Sequence, residues 1–560
     1  MKEIAGPFSR QNQSYKWILI LFFIYLFLSK LYPLISLPKI SDEYSDWWFS
    51  HHFFELFNFL DQSFDADNAR LPHLVSFPFA HIFNQENIVS MRLLFLGFHF
   101  LYLIALYKTI RLRFSKLTSS YTVIAVGSCN FLASFSIFTA TTSNNLFLLT
   151  TTLVIFYYLK EIEKTNSYDL KKISLFAFLI ALMISSRITG VFNLIAVFLY
   201  DILLKRNFSF KLPKLKLLAP DLVFISTVLL FNFYLHTAVG LIFLVIILAI
   251  YLSLYIYRYK TKEYNIGVST FWIMTIILAF NLTLIFSPSY LNFNNLLRLF
   301  NWLEKSHDPS ILISPSFWDP FEFMLIKGIW PVLLPFLLAI FLSFKEMRRT
   351  SLYLFLMLLV VNIISLLISD FFSPLYMVPI FPFFFIIYST LIERLQHMKK
   401  GLLLYTSLLF LIFIPIREQY YFWKFAPYSH LQGIEKGKEY FGWTKPGFLT
   451  FEYFDDVYHF FKNEKNTVRI QYNGWPSKRF NEWARFNLNE YLRLRGLEHI
   501  RFYSQKFTKD FRPEFYFTTL YTKDKDLKIV EKKFTPIKEF KIRDYVVATL
   551  WKSNSLSFKK

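Results

Sequence analysis

Residues 17–36 read WILILFFIYLFLSKLYPLIS and run directly into LPKISDEYSDWWFSHHFFELF, residues 37–57. The first stretch is long and apolar enough to cross a hydrocarbon core. It lacks a small-residue cleavage site, so a retained helix is expected rather than a removed signal peptide. The second stretch sets Asp42, Glu43 and Asp46 among Trp47, Trp48, His51 and His52. A span followed at once by three carboxylates fixes the frame in which the rest of the chain is read.

Outward from that point the pattern repeats. The chain has 560 residues with 70 Phe, more apolar surface than a soluble fold of this size hides. Apolar runs near 17–36, 89–107, 119–139, 145–159, 173–187, 188–204, 221–236, 237–257, 268–287, 326–344, 351–369, 373–392 and 401–416 predict about thirteen transmembrane helices. Two adjacent pairs, meeting at Arg187 and at His236, are long for one helix and short for two, so each reads as a tight hairpin. Apart from the Arg187 region, few ionisable residues interrupt the spans.

Charge sets the orientation. Lys and Arg concentrate in KTIRLRFSK, KEIEKTNSYDLKK, KRNFSFKLPKLK, YRYKTKE, KEMRR and ERLQHMKK, which occupy every second loop and therefore all fall on one side of the membrane. The positive-inside rule makes that set cytoplasmic and puts the N-terminus inside. Loop 37–88 is then outside, and it carries Asp42, Glu43, Asp46, Glu55, Asp61, Asp65, Asp67 and Glu86 against Lys39 and Arg70. The formal net charge of +22 follows from the same rule, so nucleic acid is not an expected partner, whereas membrane lipids are. The single cysteine, Cys129, forms no internal disulfide and leaves the compartment open.

From residue 417 the composition changes. FDDVYHFFKNEKNTVRIQY (454–472) predicts an amphipathic helix, a turn and a strand, and VEKKFTPIKEFKIRDYVVATLW (530–551) predicts paired strands. The expected organisation is a transmembrane domain over 1–416 and a mixed α/β extracytoplasmic domain over 417–560.

Several residues stand out for chemistry. Arg187, in MISSRITGVF, interrupts an apolar stretch, and a charge there is a functional candidate by default. It also fits a hairpin turn whose side chain reaches the surface. Loop 37–88 is long, and long ordered loops tend to be functional. The same acids would also arise from topology alone, with Trp47 and Trp48 as an interfacial belt. His51 and His52 lack metal-ligand spacing and read as interfacial or packing residues.

The arrangement resembles the integral-membrane glycosyltransferases of GT-C type that use a lipid-phosphate-linked sugar, among them protein O-mannosyltransferases and the aminoarabinose transferases of lipid A. Four features carry the resemblance: the acidic pair Asp42–Glu43 opening the first outer loop, NARLPHLVSFPF (68–79), VSMRLLFLGFHFLYLIALYKTIRLRFS (89–115), and FFSPLYMVPIFPFFFIIYSTL (371–391). It implies a polyprenyl-phosphate sugar donor, a glycolipid, glycan or protein acceptor, and a bacterial inner membrane or, alternatively, an organelle membrane. There is one departure. Many relatives place an Asp at the start of the fourth span, where TATTSNNLFLL holds Asn144 and Asn145. An amide is a poorer ligand for a divalent cation than a carboxylate, so a divalent metal stays open without being predicted, and no other cofactor is expected.

In this chemistry the acceptor hydroxyl must lose a proton. Asp42 is the expected base, with Glu43 positioning the acceptor or sharing the role. Arg187, with Arg70, His73 and Arg92, would bind the lipid phosphate. Asp46, Asn144 and Asn145 would bind the acceptor. The competing reading is a lipid-linked sugar flippase or transporter, which would carry more charge within its spans.

Overall fold

The computed structural model describes residues 8–36, 50–51, 71–82, 88–128, 142–165, 168–187, 189–205, 220–226, 246, 249–253, 256, 266–287, 341, 351–367, 379–398, 401, 404–406, 409, 452–474, 485, 488–489, 491–493, 495–503, 514–519, 522, 524–542 and 545–554. The chain divides into two compact units, one helical and one built on a sheet.

The helical unit holds α1 (Phe8–Ser36), α2 (Leu71–Ile82), α3 (Ile88–Arg111), α4 (Lys116–Ser128), α5 (Thr142–Tyr157), α6 (Leu170–Ser186), α7 (Gly190–Tyr200), α8 (Val268–Phe286), α9 (Leu352–Leu367) and α10 (Ile380–His397). Among the described residues, Val89–Arg111, Asn144–Ile162 and Val268–Phe286 are long and apolar enough to cross a membrane. The expected number of thirteen is therefore not reached by the described helices. The spans expected at 221–236, 237–257, 326–344 and 401–416 lie mostly outside the described residues. The expected hairpin at Arg187 is a helix break: α6 ends at Ser186 and α7 starts at Gly190. α10 begins later than the sequence reading placed it and runs further, to His397. Pro379 stands at its N-cap, where a missing N–H costs nothing. Its far end is held by buried Leu391, Ile392 and Leu395, which continue the apolar stripe into the basic stretch.

α3 packs against α1, α2, α4 and α5; α5 packs in turn on α6, and α6 on α8. Phe100 of α3 meets Phe23 and Phe27 of α1, with ring centroids 5.8 and 6.2 Å apart.

Where helices end in basic stretches, buried and half-buried carboxylates tie them together. Glu163 accepts from Arg113, from Lys205 Nζ at 3.0 Å, from Tyr200 Oη at 3.1 Å and from Ser351 Oγ at 3.3 Å. Asp201 accepts from Tyr158 Oη at 2.7 Å and Trp272 Nε1 at 2.8 Å. Glu393 of α10 accepts from the Ser115 backbone N–H at 3.1 Å, from Ser115 Oγ at 2.7 Å and from the Thr118 hydroxyl. It thereby satisfies a donor that the first turn of α4 cannot pair within its own helix.

The second unit carries α11 (Glu452–Phe461), β1 (Val468–Asn473), β2 (Ile500–Tyr503), β3 (Phe515–Thr519), α12 (Asp524–Lys533), β4 (Phe534–Ile542) and β5 (Tyr545–Ser553). The helix–turn–strand and the terminal strand pair lie where the sequence placed them, except that VEKK ends a helix instead of starting a strand. Sheet order is β2-β1-β3-β5-β4. β1 runs parallel to β2 and β3, while β5 is antiparallel to β3 and β4. Alternation along β3 sends Phe517 toward Tyr453 of α11, at 6.0 Å between centroids, and Tyr516 into a cluster with Val530, Phe534 and Trp551. Two helices thus cover opposite faces.

Trp551 Nε1 donates to Thr518 Oγ1 at 2.8 Å, both residues buried. Thr518→Val keeps the shape and leaves that donor without its acceptor. It is expected to cost about 1–3 kcal/mol, read as a lowered melting transition of the purified full-length protein. An unchanged transition would mean that Trp551 finds another acceptor.

Candidate functional site

The sequence-predicted residues fall into two sets. Asp42, Glu43, Asp46 and Arg70 lie outside the described residues. His73, Arg92, Asn144, Asn145 and Arg187 are all described, and all five are buried.

Arg187 sits at the break between α6 and α7. Its backbone is extended, at φ −160° and ψ 127°, because the helical ladder stops there. Its N–H still donates to Met183 O at 3.2 Å, and its carbonyl accepts from Gly190 N–H at 2.8 Å. The backbone is thus fixed from both sides. A Cβ at Gly190 would approach the Met183 carbonyl oxygen to 3.1 Å, so a side chain at this corner requires a small local shift. The guanidinium is anchored from another helix, with Arg187 Nη1 donating to Asn144 Oδ1 at 2.5 Å.

Asn144 and Asn145 stand in the first turn of α5. That end of a helix carries unpaired N–H groups and the positive end of the backbone dipole. Asn145 Nδ2 donates to Phe95 O of α3 at 3.4 Å, so this side chain ties two helices together. The amide pair expected to bind an acceptor is thereby divided between two tasks, only one of which touches the candidate phosphate ligand.

α2 brings His73 to the same helices. It packs against α3, α5 and α6. Its His73, Ser76 and Ala80 are buried and fall at helical spacing on one face, while Pro78 is exposed. His51, just upstream in the first long loop, stacks on His81 of α2 with ring centroids 4.3 Å apart. That is packing, one of the two roles expected of it.

Arg92 opens α3. Its Nη1 donates to the Leu34 carbonyl at 2.9 Å, in the last turn of α1. A cation there pairs with a carbonyl that has no partner within the helix and with the negative end of its dipole. Arg92 therefore holds the last turn of α1 at Leu34, eight residues before Asp42, whatever else it binds.

Two further buried groups escaped the sequence reading. Lys30 of α1 and His99 of α3 are fully buried, and neither ring nitrogen of His99 has a hydrogen-bond partner among the described residues. Lys30 lies within electrostatic reach of His99. The signal was present, as ionisable residues inside apolar runs, in LFLSKLYP and LFLGFHFLY. The expectation that few such groups lie outside the Arg187 region is corrected to that extent.

The arrangement offers one buried guanidinium, an amide that holds it and a helix N-terminus beside it. All three favour an anion.

Residues 73–231 match the family model described as dolichyl-phosphate-mannose-protein mannosyltransferase. The matched segment contains His73, Arg92, Asn144, Asn145 and Arg187, and it upholds the resemblance to lipid-phosphate-sugar glycosyltransferases of GT-C type. Together with the apolar helices it makes the chain an integral membrane protein. No curated protein matches the chain. Among solved structures, ArnT from Cupriavidus metallidurans bound to undecaprenyl phosphate is similar at 12% identity, covering 96% of this chain and 98% of that one, with a TM-score of 0.43. The apo state of the same protein gives 12% identity, the same coverage and a TM-score of 0.41. Similarity at this level transfers no residue role.

Proposed function

We propose that this chain transfers a monosaccharide from a polyprenyl-phosphate donor to a hydroxyl of a glycolipid, glycan or protein. The reaction takes place at the outer face of a membrane, in our reading the bacterial plasma membrane. The N-terminus lies inside, the domain over 1–416 performs the transfer, and the domain over 417–560 lies outside. The observation that carries the reading is the buried Arg187–Asn144 pair at the first turn of α5, inside the segment that matches the family.

In the step, the acceptor oxygen attacks the anomeric carbon. The bond from that carbon to the phosphate oxygen breaks, and the polyprenyl phosphate leaves with the electron pair. The acceptor proton passes to the carboxylate of Asp42, and Glu43 positions the acceptor. Arg187 holds the departing phosphate, where negative charge grows, and such a preplaced cation stabilises the transition state more than the ground state. His73 and Arg70 complete the donor side, and Asp46 the acceptor side. Both Asp42 and the phosphate need the same depth, because a lipid anchor brings the reacting bond only to the membrane face.

The test is single-turnover incubation of the purified protein with a synthetic polyprenyl-phosphate sugar and extracted envelope glycolipid. Transfer is expected as stoichiometric release of polyprenyl phosphate with gain of one sugar mass on the acceptor. A donor carried intact across proteoliposomes, with no cleavage, would establish the transporter instead. Glycolipid mass spectra from a deletion strain would then identify sugar and acceptor.

A further inference from the structure

We infer that Asn193 binds the lipid-linked donor: its side-chain NH₂ group, at the first turn of α7, donates to an oxygen of the lipid phosphate. The inference deepens the proposed function, and it rests on a polyprenyl phosphate being bound.

A chain of three groups fixes which way this amide faces. The Leu358 carbonyl of α9 can only accept, so the Asn362 atom 2.7 Å from it is Nδ2. That nitrogen carries two hydrogens, and its second partner, also at 2.7 Å, is an atom of Asn193. The Asn193 atom must therefore accept, which makes it Oδ1. Asn193 Nδ2 lies on the other branch of the side chain. It is buried and meets no acceptor among the described residues, and Asn193 as a whole is 1% exposed. A tie between α7 and α9 needs Oδ1 alone. It leaves the enclosed donor unexplained, and an enclosed donor without an acceptor costs stability that an apolar side chain of similar size would recover.

The placement favours a phosphate as the missing acceptor. α7 begins at Gly190, whose N–H bonds back to the Arg187 carbonyl at 2.8 Å, and Asn193 follows one turn later. It stands at the positive end of the α7 dipole, where an anion is favoured. In the topology read from the basic loops, α7 enters the membrane from the outer face and α9 runs toward that face. Asn193 lies three residues from the start of α7 and Asn362 five from the end of α9. Those distances are about 5 and 8 Å along a helix, the depth at which a lipid anchor holds its phosphate. The extended backbone at Arg187 interrupts the helical ladder between α6 and α7. α7 thus has a joint at which it can shift to admit the headgroup.

The experiment uses the purified full-length protein in detergent. It measures the melting transition without ligand, then binding of farnesyl phosphate and of farnesol, the same lipid without its phosphate. Asn193→Leu removes the amide at similar size. Its melting transition is expected at or above that of the wild type, because the enclosed donor is gone. Farnesyl phosphate binding should weaken on the order of tenfold, while farnesol binding stays within about twofold. A residue that only ties two helices gives the reverse, a lower transition with wild-type farnesyl phosphate affinity, and that result overturns the inference. Weakened binding of both ligands in Asn193→Leu signals a damaged fold. Asn193→Asp then decides: it still accepts from Asn362 and offers the phosphate no donor, so wild-type farnesyl phosphate affinity there overturns the inference. The wild type separates the two levels. If it binds farnesyl phosphate no better than farnesol, the proposed donor fails and the inference with it. If it discriminates between them and Asn193→Leu discriminates equally, only the role of Asn193 fails.

Discussion

Asp42→Asn is expected to lower the single-turnover transfer rate by about 10²- to 10⁴-fold, the range by which a positioned general base usually contributes. The substitution keeps size and hydrogen-bonding capacity and removes the proton acceptor. Membrane insertion and farnesyl phosphate binding should therefore be unchanged, since the donor side does not use this group. Glu43→Gln should cost less, because an amide still positions a hydroxyl. Transfer at the wild-type rate by both variants would reduce the pair to a consequence of topology.

Arg187→Ala should cost donor use on the order of 100-fold or more, as truncating one partner of a buried, charge-assisted pair does. The fall should appear in kcat as well as in KM, since phosphate charge grows as the sugar leaves. Arg187→Lys keeps the charge and loses the planar fork. It should recover part of the binding and less of the rate. A surface-reaching turn residue predicts neither effect, and equal farnesyl phosphate affinity in Arg187→Ala and wild type would assign Arg187 to that role.

The elements legible in the sequence were those whose signal is local. α3 and α8 are long, largely apolar runs; α11 and β1 follow from the period of FDDVYHFFKNEKNTVRIQY. Arg187 was visible because a charge in an apolar run carries its own explanation. What stayed hidden depends on which helices become neighbours. Nothing in TSNN says that Asn144 will meet Arg187 while Asn145 turns to the Phe95 carbonyl. The contact of Arg92 with the Leu34 carbonyl was hidden because the two residues lie 58 positions apart. The run LGFHFLY gave a span and concealed His99, since one histidine hardly changes the apolar average. β4 differs again: its start shifts to Phe534 because Val530 turns under Trp551 in a helix.

The carboxylate of Glu393 has a consequence for biosynthesis. Its partner Ser115 precedes it by 278 residues. At a synthesis rate of about 5–20 residues per second, α4 waits roughly 15–60 s for the group that closes its first turn. Glu163 meets Arg113 after only 50 residues, and Tyr200 and Lys205 soon after, so those partners of its cluster can assemble early. α4 is therefore a late-locking element of the nascent chain, bracketed by neighbours already in place. In a protein lacking Cys129, a thiol introduced by Ser119→Cys should react with maleimide in chains stalled before residue 393 and resist it in the finished protein. Equal protection in both would mean that α4 docks without waiting for its distant cap.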